Sequence, residues 1–185
     1  KDNNVILKFI SVGSNHKCFE AMSFAPTSLC NILFEEWDCI DKNEISTLKN
    51  QLSNYYIFIP IIKEKVKGSF NHYLEWEIGE LSFWRPTKIE IKLIGEEWNQ
   101  IKNRIKDGVK LKNVKYGNSF RTENNLHKQS ETNYIHLRPH GKNSFDFDKM
   151  YLEFTKGKVQ ITKQSFWLNK EYINSILKIN KWKLN

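Results

Sequence analysis

Arg138, Pro139, His140, Lys142, Asn143 and Ser144 crowd one part of residues 134–173, and Lys163, Gln164 and Trp167 follow in another. Together they offer a planar guanidinium, two amides, an imidazole, two ammonium groups and an aromatic ring. A guanidinium can hold guanine and an amide can hold adenine through paired hydrogen bonds, while an ammonium suits a phosphate. A solvated loop beside a core hairpin would carry similar residues, because basic loops are common on basic proteins.

The elements expected to position these groups follow from the pattern. Ile135 and Leu137 alternate with His136 and Arg138, which predicts a strand, and Pro139 with Gly141 ends it and starts the loop. Residues 151–154 and 159–162 predict a hairpin turning at Gly157, with Lys163, Gln164, Phe166 and Trp167 at its far end. In that second run Phe166 and Leu168 point to the core and Trp167 points out. Asn169 is expected to cap a helix reaching about Ile179. Two corners, one at Arg138 and one at Trp167, then face the same ligand.

Upstream, residues 5–11 read as a largely buried strand, and 55–62, almost continuously apolar, as a central strand buried on both faces. Residues 19–24 predict a strand closed by Pro26, and 28–37 and 45–52 predict helices. Residues 73–84 and 88–94 alternate as half-exposed antiparallel strands joined at Arg85-Pro86. Residues 95–108 predict an amphipathic helix, acidic in its first turn and carrying Lys102, Arg104 and Lys106 on its exposed face. Residues 110–130 hold five Lys and Arg and four Asn without a clear period, and read as part strand, part loop open to phosphates. The whole is expected to be a single α/β domain, an α+β arrangement around a mixed sheet.

Composition narrows the classes. With 185 residues, 39% hydrophobic and 14% aromatic, the chain can bury a core. A net charge of +8 and a pI near 9.3 favour a polyanionic partner. No apolar run reaches the roughly 18 residues of a spanning helix and no signal-peptide pattern is present, so a cytoplasmic protein with no membrane partner is expected. Cys18, Cys30 and Cys39 lack the paired spacing of a zinc site and read as buried free thiols.

Across nearly its whole length the chain resembles the MutH and Sau-three-AI family of GATC-specific endonucleases. The matching residues are Leu137-Arg138-Pro139, Asn143-Ser144, Gly157 and Phe166-Trp167-Leu168, with Trp98, Ile101, Ile105 and Gly108, Leu52-Ser53 and Ile59-Pro60 upstream. The resemblance implies a PD-(D/E)xK restriction-endonuclease-like fold, in which an Asp and a Glu bind magnesium and a Lys orients water. At the family's Glu-x-Lys, this chain has Ile6 and Lys8, and Ile6 offers no oxygen to a cation. The family's Asp falls before Lys1, Asp2 lies too close to replace it, and Gln51 stands at a further family Lys. One other Glu-x-Lys exists, Glu90-Ile91-Lys92 on a predicted strand, with Glu77 or Glu80 as a second carboxylate. The solvent face of a strand has the same alternation. His16, His72, His127, His136 and His140 show no ligand spacing, and Asp146-Phe147-Asp148 reads as a turn.

The chain is most like the second, catalytically inactive half of a duplicated enzyme of this family. The resemblance therefore implies an allosteric effector domain of a type IIE restriction endonuclease, binding duplex DNA at GATC. Residues 1–185 would be the C-terminal part of a longer enzyme, as the start at Lys1 also suggests. Its partners would be GATC-containing duplex and the catalytic MutH-like domain of the same chain, with a DNA-induced dimer; this domain would need no cofactor, while the full enzyme would use magnesium. Arg138, Pro139 and His140 match the family's DNA-approaching loop, with His140 where MutH has Lys, and Trp167 matches a Tyr near the recognised bases. Lys142, Asn143, Lys163 and Gln164 are added from their chemistry. A magnesium nuclease using Glu90 and Lys92, and a nuclease-fold scaffold that binds only protein, are the competing readings.

Overall fold

The computed structural model describes residues 4–39, 45–66, 68–143, 146–148 and 161–177. In chain order the elements are β1 (Val5–Val12), β2 (Met22–Thr27), α1 (Leu29–Phe34), α2 (Thr47–Leu52), β3 (Tyr55–Ile62), β4 (Lys65–Val66), β5 (Ser69–Phe70), β6 (Glu77–Ile78), β7 (Ser82–Trp84), α3 (Lys88–Lys106), β8 (Leu111–Tyr116), β9 (Ser119–Asn124), β10 (Ile135–Pro139), β11 (Gln164–Leu168) and α4 (Lys170–Ile176). The fold is mixed α/β. In one sheet β1 runs parallel to β3, and β6 and β7 pair antiparallel with β3. A second, antiparallel sheet has the order β10-β11-β2, and two hairpins, β4-β5 and β8-β9, stand apart. The predicted hairpin over 151–162 lies almost wholly outside the described residues, as does Ser144.

The core lies between the sheets and α3. Ile94, Trp98, Ile101 and Ile105 of α3 are fully buried with Leu29 and Ile32 of α1 and Leu48 and Leu52 of α2. Trp98 packs against Trp37 with ring centroids 5.7 Å apart. Gly95 is buried at that contact, where a Cβ would overlap the Trp37 indole.

Four expectations are corrected here. Residues 88–94 form the first turns of α3, not a strand. The seven-residue alternation is also compatible with a helix, and the series Ile91, Ile94, Trp98, Ile101, Ile105 has helical spacing. Thr87 starts the helix with a capping box: its hydroxyl accepts Glu90 N–H at 3.2 Å, and the Glu90 carboxylate accepts Thr87 N–H at 2.7 Å. Lys102 is buried, not exposed, and its ammonium donates to the Glu35 carbonyl and pairs with Glu36 at 2.7 Å.

Strand β1 is covered on one face only, whereas β3 buries Tyr56, Phe58 and Pro60 on one face and half-buries Ile57, Ile59 and Ile61 on the other. Ile10, Val12, Tyr56 and Phe58 point into the core, where Phe24 and Trp84 meet Tyr56, while Val5, Leu7 and Phe9 are 59%, 57% and 70% exposed. β-Branched and aromatic residues favour any pleated surface, so an apolar run does not by itself specify two covered faces. Finally, Pro26 lies within β2 instead of ending it. It sits opposite Ser165 beside a register irregularity of β11, where a residue without an N–H fits an interrupted ladder.

Candidate nucleic-acid interface

The site is built from the middle of α3 upward. Glu97 is buried on α3, and its carboxylate accepts the backbone N–H groups of Asn133 (2.6 Å), Tyr134 (3.0 Å) and Ile135 (2.9 Å). This fixes the entry of β10. Antiparallel pairing with β11 then places His136 opposite Trp167, Arg138 opposite Ser165 and Pro139 opposite Gln164. Directly opposed residues share a face, so Arg138 and Trp167 emerge side by side.

The Arg138 guanidinium carbon lies 4.9 Å from the centre of the Trp167 ring, a cation–π contact. His140 packs on the same indole, with ring centroids 5.3 Å apart, and its backbone N–H donates to Lys163 O at 2.7 Å. Arg138, Pro139, Lys142 and Asn143 are exposed, while His140 and Trp167 are half-buried. Two predicted corners thus form one cluster. Phe166 and Leu168 are buried on the opposite side of β11, as the alternation predicts.

Other predicted contacts fare differently. Gln164 is fully buried, and its amide donates to Thr162 O at 2.6 Å, so it reaches no surface. It alternates in phase with Phe166 and Leu168 and shares their inward face. Lys163 is exposed but ion-paired with Asp146 at 2.8 Å, and Asp146 also accepts Lys142 N–H at 3.0 Å. These bonds, the Lys163 one foremost, hold the Asp146 carboxyl below its usual value. Asp148 accepts Ser28 Oγ and Leu29 N–H, at 2.9 and 3.0 Å, across the start of α1.

Ile6 packs against the core, and Lys8, on the same inward side of β1, donates to Ser23 O at 3.1 Å. Burial lowers the Lys8 pKa. Lys8 and Trp167 line one cleft of about 330 Å³, so Lys8 adjoins the Arg138 cluster. Among the described residues no three His, Cys, Asp or Glu side chains converge on a point where a cation could sit. Glu90 and Lys92 are not a strand pair: two residues apart on a helix, they do not face one another. The Glu90 carboxylate is also taken by Tyr172 OH at 2.6 Å and by the cap; burial alone would raise its pKa, but these bonds leave it lowered.

Part of the stretch 110–130, expected to be open to phosphates, lies beside the cluster. Arg121, Asn124, His127 and Lys128 line a cleft of about 440 Å³ with Arg138 and Pro139. Gly117-Asn118 was the available signal for the hairpin of that stretch, since that dipeptide marks a two-residue turn. Under the cluster, His136 is buried, with Nδ1 2.5 Å from Asn169 Oδ1, and Asn169 Nδ2 donates to Thr132 O at 2.8 Å.

Burial pushes the His136 pKa below the ordinary 6.5, the Asn169 bond opposes this in part, and the Arg138 charge adds to it. The stability contributed by neutral His136 is therefore complete above pH 6.5 and is lost as pH falls through the lowered folded value, because the unfolded chain takes up the proton first. A His136→Gln variant is expected to melt lower than wild type at pH 8 yet show a flatter decline below pH 6.5. Melting curves against pH check this, and parallel declines would contradict it.

No family model matches the chain, and no curated protein matches it in sequence. No helix is long and apolar enough to cross a membrane among the described residues.

Proposed function

We propose that this chain is a duplex-DNA-binding domain of MutH-like, PD-(D/E)xK restriction-endonuclease-like fold that recognises GATC and does not cleave. The observation that carries this reading is the Arg138 guanidinium held over Trp167 at the end of a fixed strand. An arginine fixed by stacking meets a base edge at low entropic cost, and its fork geometry suits guanine. The charge of +8 supplies attraction for phosphates. Pro139, His140, Lys142 and Asn143 complete the surface, and Gln164 is removed from it.

At the positions matched to the nuclease centre, Ile6 and Lys8 do not fit magnesium, which needs hard oxygen ligands. The domain would then act as the effector half of a type IIE enzyme in the cytoplasm. Its bound GATC duplex would activate, or dimerise with, a magnesium-dependent catalytic half of the same protein. The alternative centre at Glu90 and Lys92 loses support because those residues diverge on α3.

Binding to a duplex across a salt series tests the reading. If about four to six Lys and Arg side chains meet phosphates, log K falls against log salt with a slope of about −4 to −5. With magnesium or manganese and a GATC-rich plasmid, no cleavage is expected. A flat slope with negligible binding would leave the protein-only scaffold, and cleavage abolished by Glu90→Ala would restore the alternative centre.

A further inference from the structure

The hairpin β8-β9 stands out from the domain with a stiff foot and an uncovered blade. At the foot Val109 and Leu126 are buried, the Asn125 amide accepts Lys110 N–H at 2.8 Å and donates to Gly108 O at 3.1 Å. Beyond it no residue of either strand is buried. The turn at the tip is made by Gly117, at φ 59°, and Asn118, with glycine at the first central position as a type II′ turn requires. An isolated two-stranded ribbon is marginal in water, so six paired residues on each side, left uncovered, need a reason.

Its side chains supply one. Residues 110–124 carry Lys110, Lys112, Lys115 and Arg121 against the single carboxylate of Glu123. Tyr116 and Phe120, beside the tip, are 63% and 73% exposed. The pairing Lys112–Glu123 and Val114–Arg121 puts Arg121 on the face of Tyr116, whose ring it covers at 4.9 Å while its outer nitrogen pairs with Glu123 on the same face, and Lys115 and Phe120 oppose each other on the other face. Each face thus has an aromatic and a cation. A bilayer interface asks for one apolar face and one polar face, whereas the walls of a DNA groove carry phosphates on both sides of whatever enters. The ribbon spans about 20 Å along each strand, and the major groove, about 12 Å wide, admits a two-stranded ribbon. At its foot the ribbon shares a cleft with Arg138 and Pro139.

We infer that β8-β9 is a second DNA-contacting arm, laid in the major groove of the duplex that the Arg138 cluster engages. Lys112, Lys115 and Arg121 meet phosphates, and Tyr116 and Phe120 pack on the groove wall. This rests on the reading of the chain as a duplex-binding domain.

The test compares wild type with Lys112→Gln/Lys115→Gln/Arg121→Gln and with Tyr116→Ala/Phe120→Ala, on GATC and scrambled duplexes over a salt series. Lys106→Gln, a cation on α3, is the charge control. The triple variant is expected to lose about 10²- to 10³-fold in affinity near 0.1 M salt, alike on both duplexes, with a slope shallower by about 2 to 3. The aromatic variant should weaken binding about tenfold without changing the slope. Melting temperatures should hold, because these side chains support nothing buried. Should the triple variant melt early, the single Gln variants carry the test, each with a slope change of about 0.9. Wild-type slope in those variants overturns the ribbon's role while leaving the duplex reading intact; no duplex binding by wild type removes both. Binding of wild type to phosphatidylserine vesicles that depends on the ribbon, with duplex slopes unchanged, would make it a membrane arm and also overturn the inference.

Discussion

Glu97→Ala is expected to lower the stability of the domain by about 3 to 5 kcal/mol, the largest effect of any single substitution near the site. The carboxylate accepts three consecutive backbone N–H groups at the entry of β10, two of them on residues that lead directly into the strand. Truncation leaves those donors without an acceptor, the Ile135 N–H fully buried and the other two partly so, and each buried orphan donor costs about 1 to 3 kcal/mol. Glu97→Gln keeps one carbonyl oxygen and should lose about half as much. Urea unfolding of the three proteins checks this. A loss below about 1 kcal/mol for the alanine variant would mean that strand pairing alone holds β10, and with it Arg138, in place.

The second large effect concerns binding. Arg138→Ala should weaken the complex with a GATC duplex by about 1 to 3 kcal/mol, and narrow the gap between GATC and scrambled duplexes if the guanidinium meets a base. Arg138→Lys restores the charge but not the planar fork, so it should recover general affinity and not discrimination. Trp167→Ala should behave like Arg138→Ala to a lesser degree, since the indole fixes the guanidinium 4.9 Å from its centre and also seats His140. Binding series on both duplexes, with melts alongside, separate these cases. Equal losses on both duplexes would make Arg138 a phosphate contact.

Local chemistry made the centre of this arrangement legible. Alternation through Ile135 to Arg138 predicts β10, which includes Pro139 as its last residue, and Phe166-Trp167-Leu168 announces which ring points outward. What sequence could not give were the facts settled by tertiary partners. Lys102 has the composition of an exposed helical residue, and only the carbonyl of Glu35 and the carboxylate of Glu36 allow it to be buried. Gln164 has the chemistry to read adenine, yet its phase in β11 turns it inward. The Glu97 clasp spans 36 to 38 residues of sequence, a pairing no local pattern encodes. Residues 88–94 fit two periods at once, and the packing of Gly95 on Trp37 selects the helix. Residues 110–130 are legible only as part strand for a different reason: the turn dipeptide is present, but a hairpin with no buried residue lacks the alternation that would mark its strands.

Whether the domain reads GATC is tested most directly by equilibrium binding of a labelled GATC duplex and a scrambled duplex of equal length and composition, at three or more salt concentrations. The GATC duplex is expected to bind at least about 10²-fold more tightly, because each wrong base pair costs about 1 to 3 kcal/mol, and the ratio should stay constant while both affinities fall with salt. Equal affinities for the two duplexes at every salt concentration would contradict it.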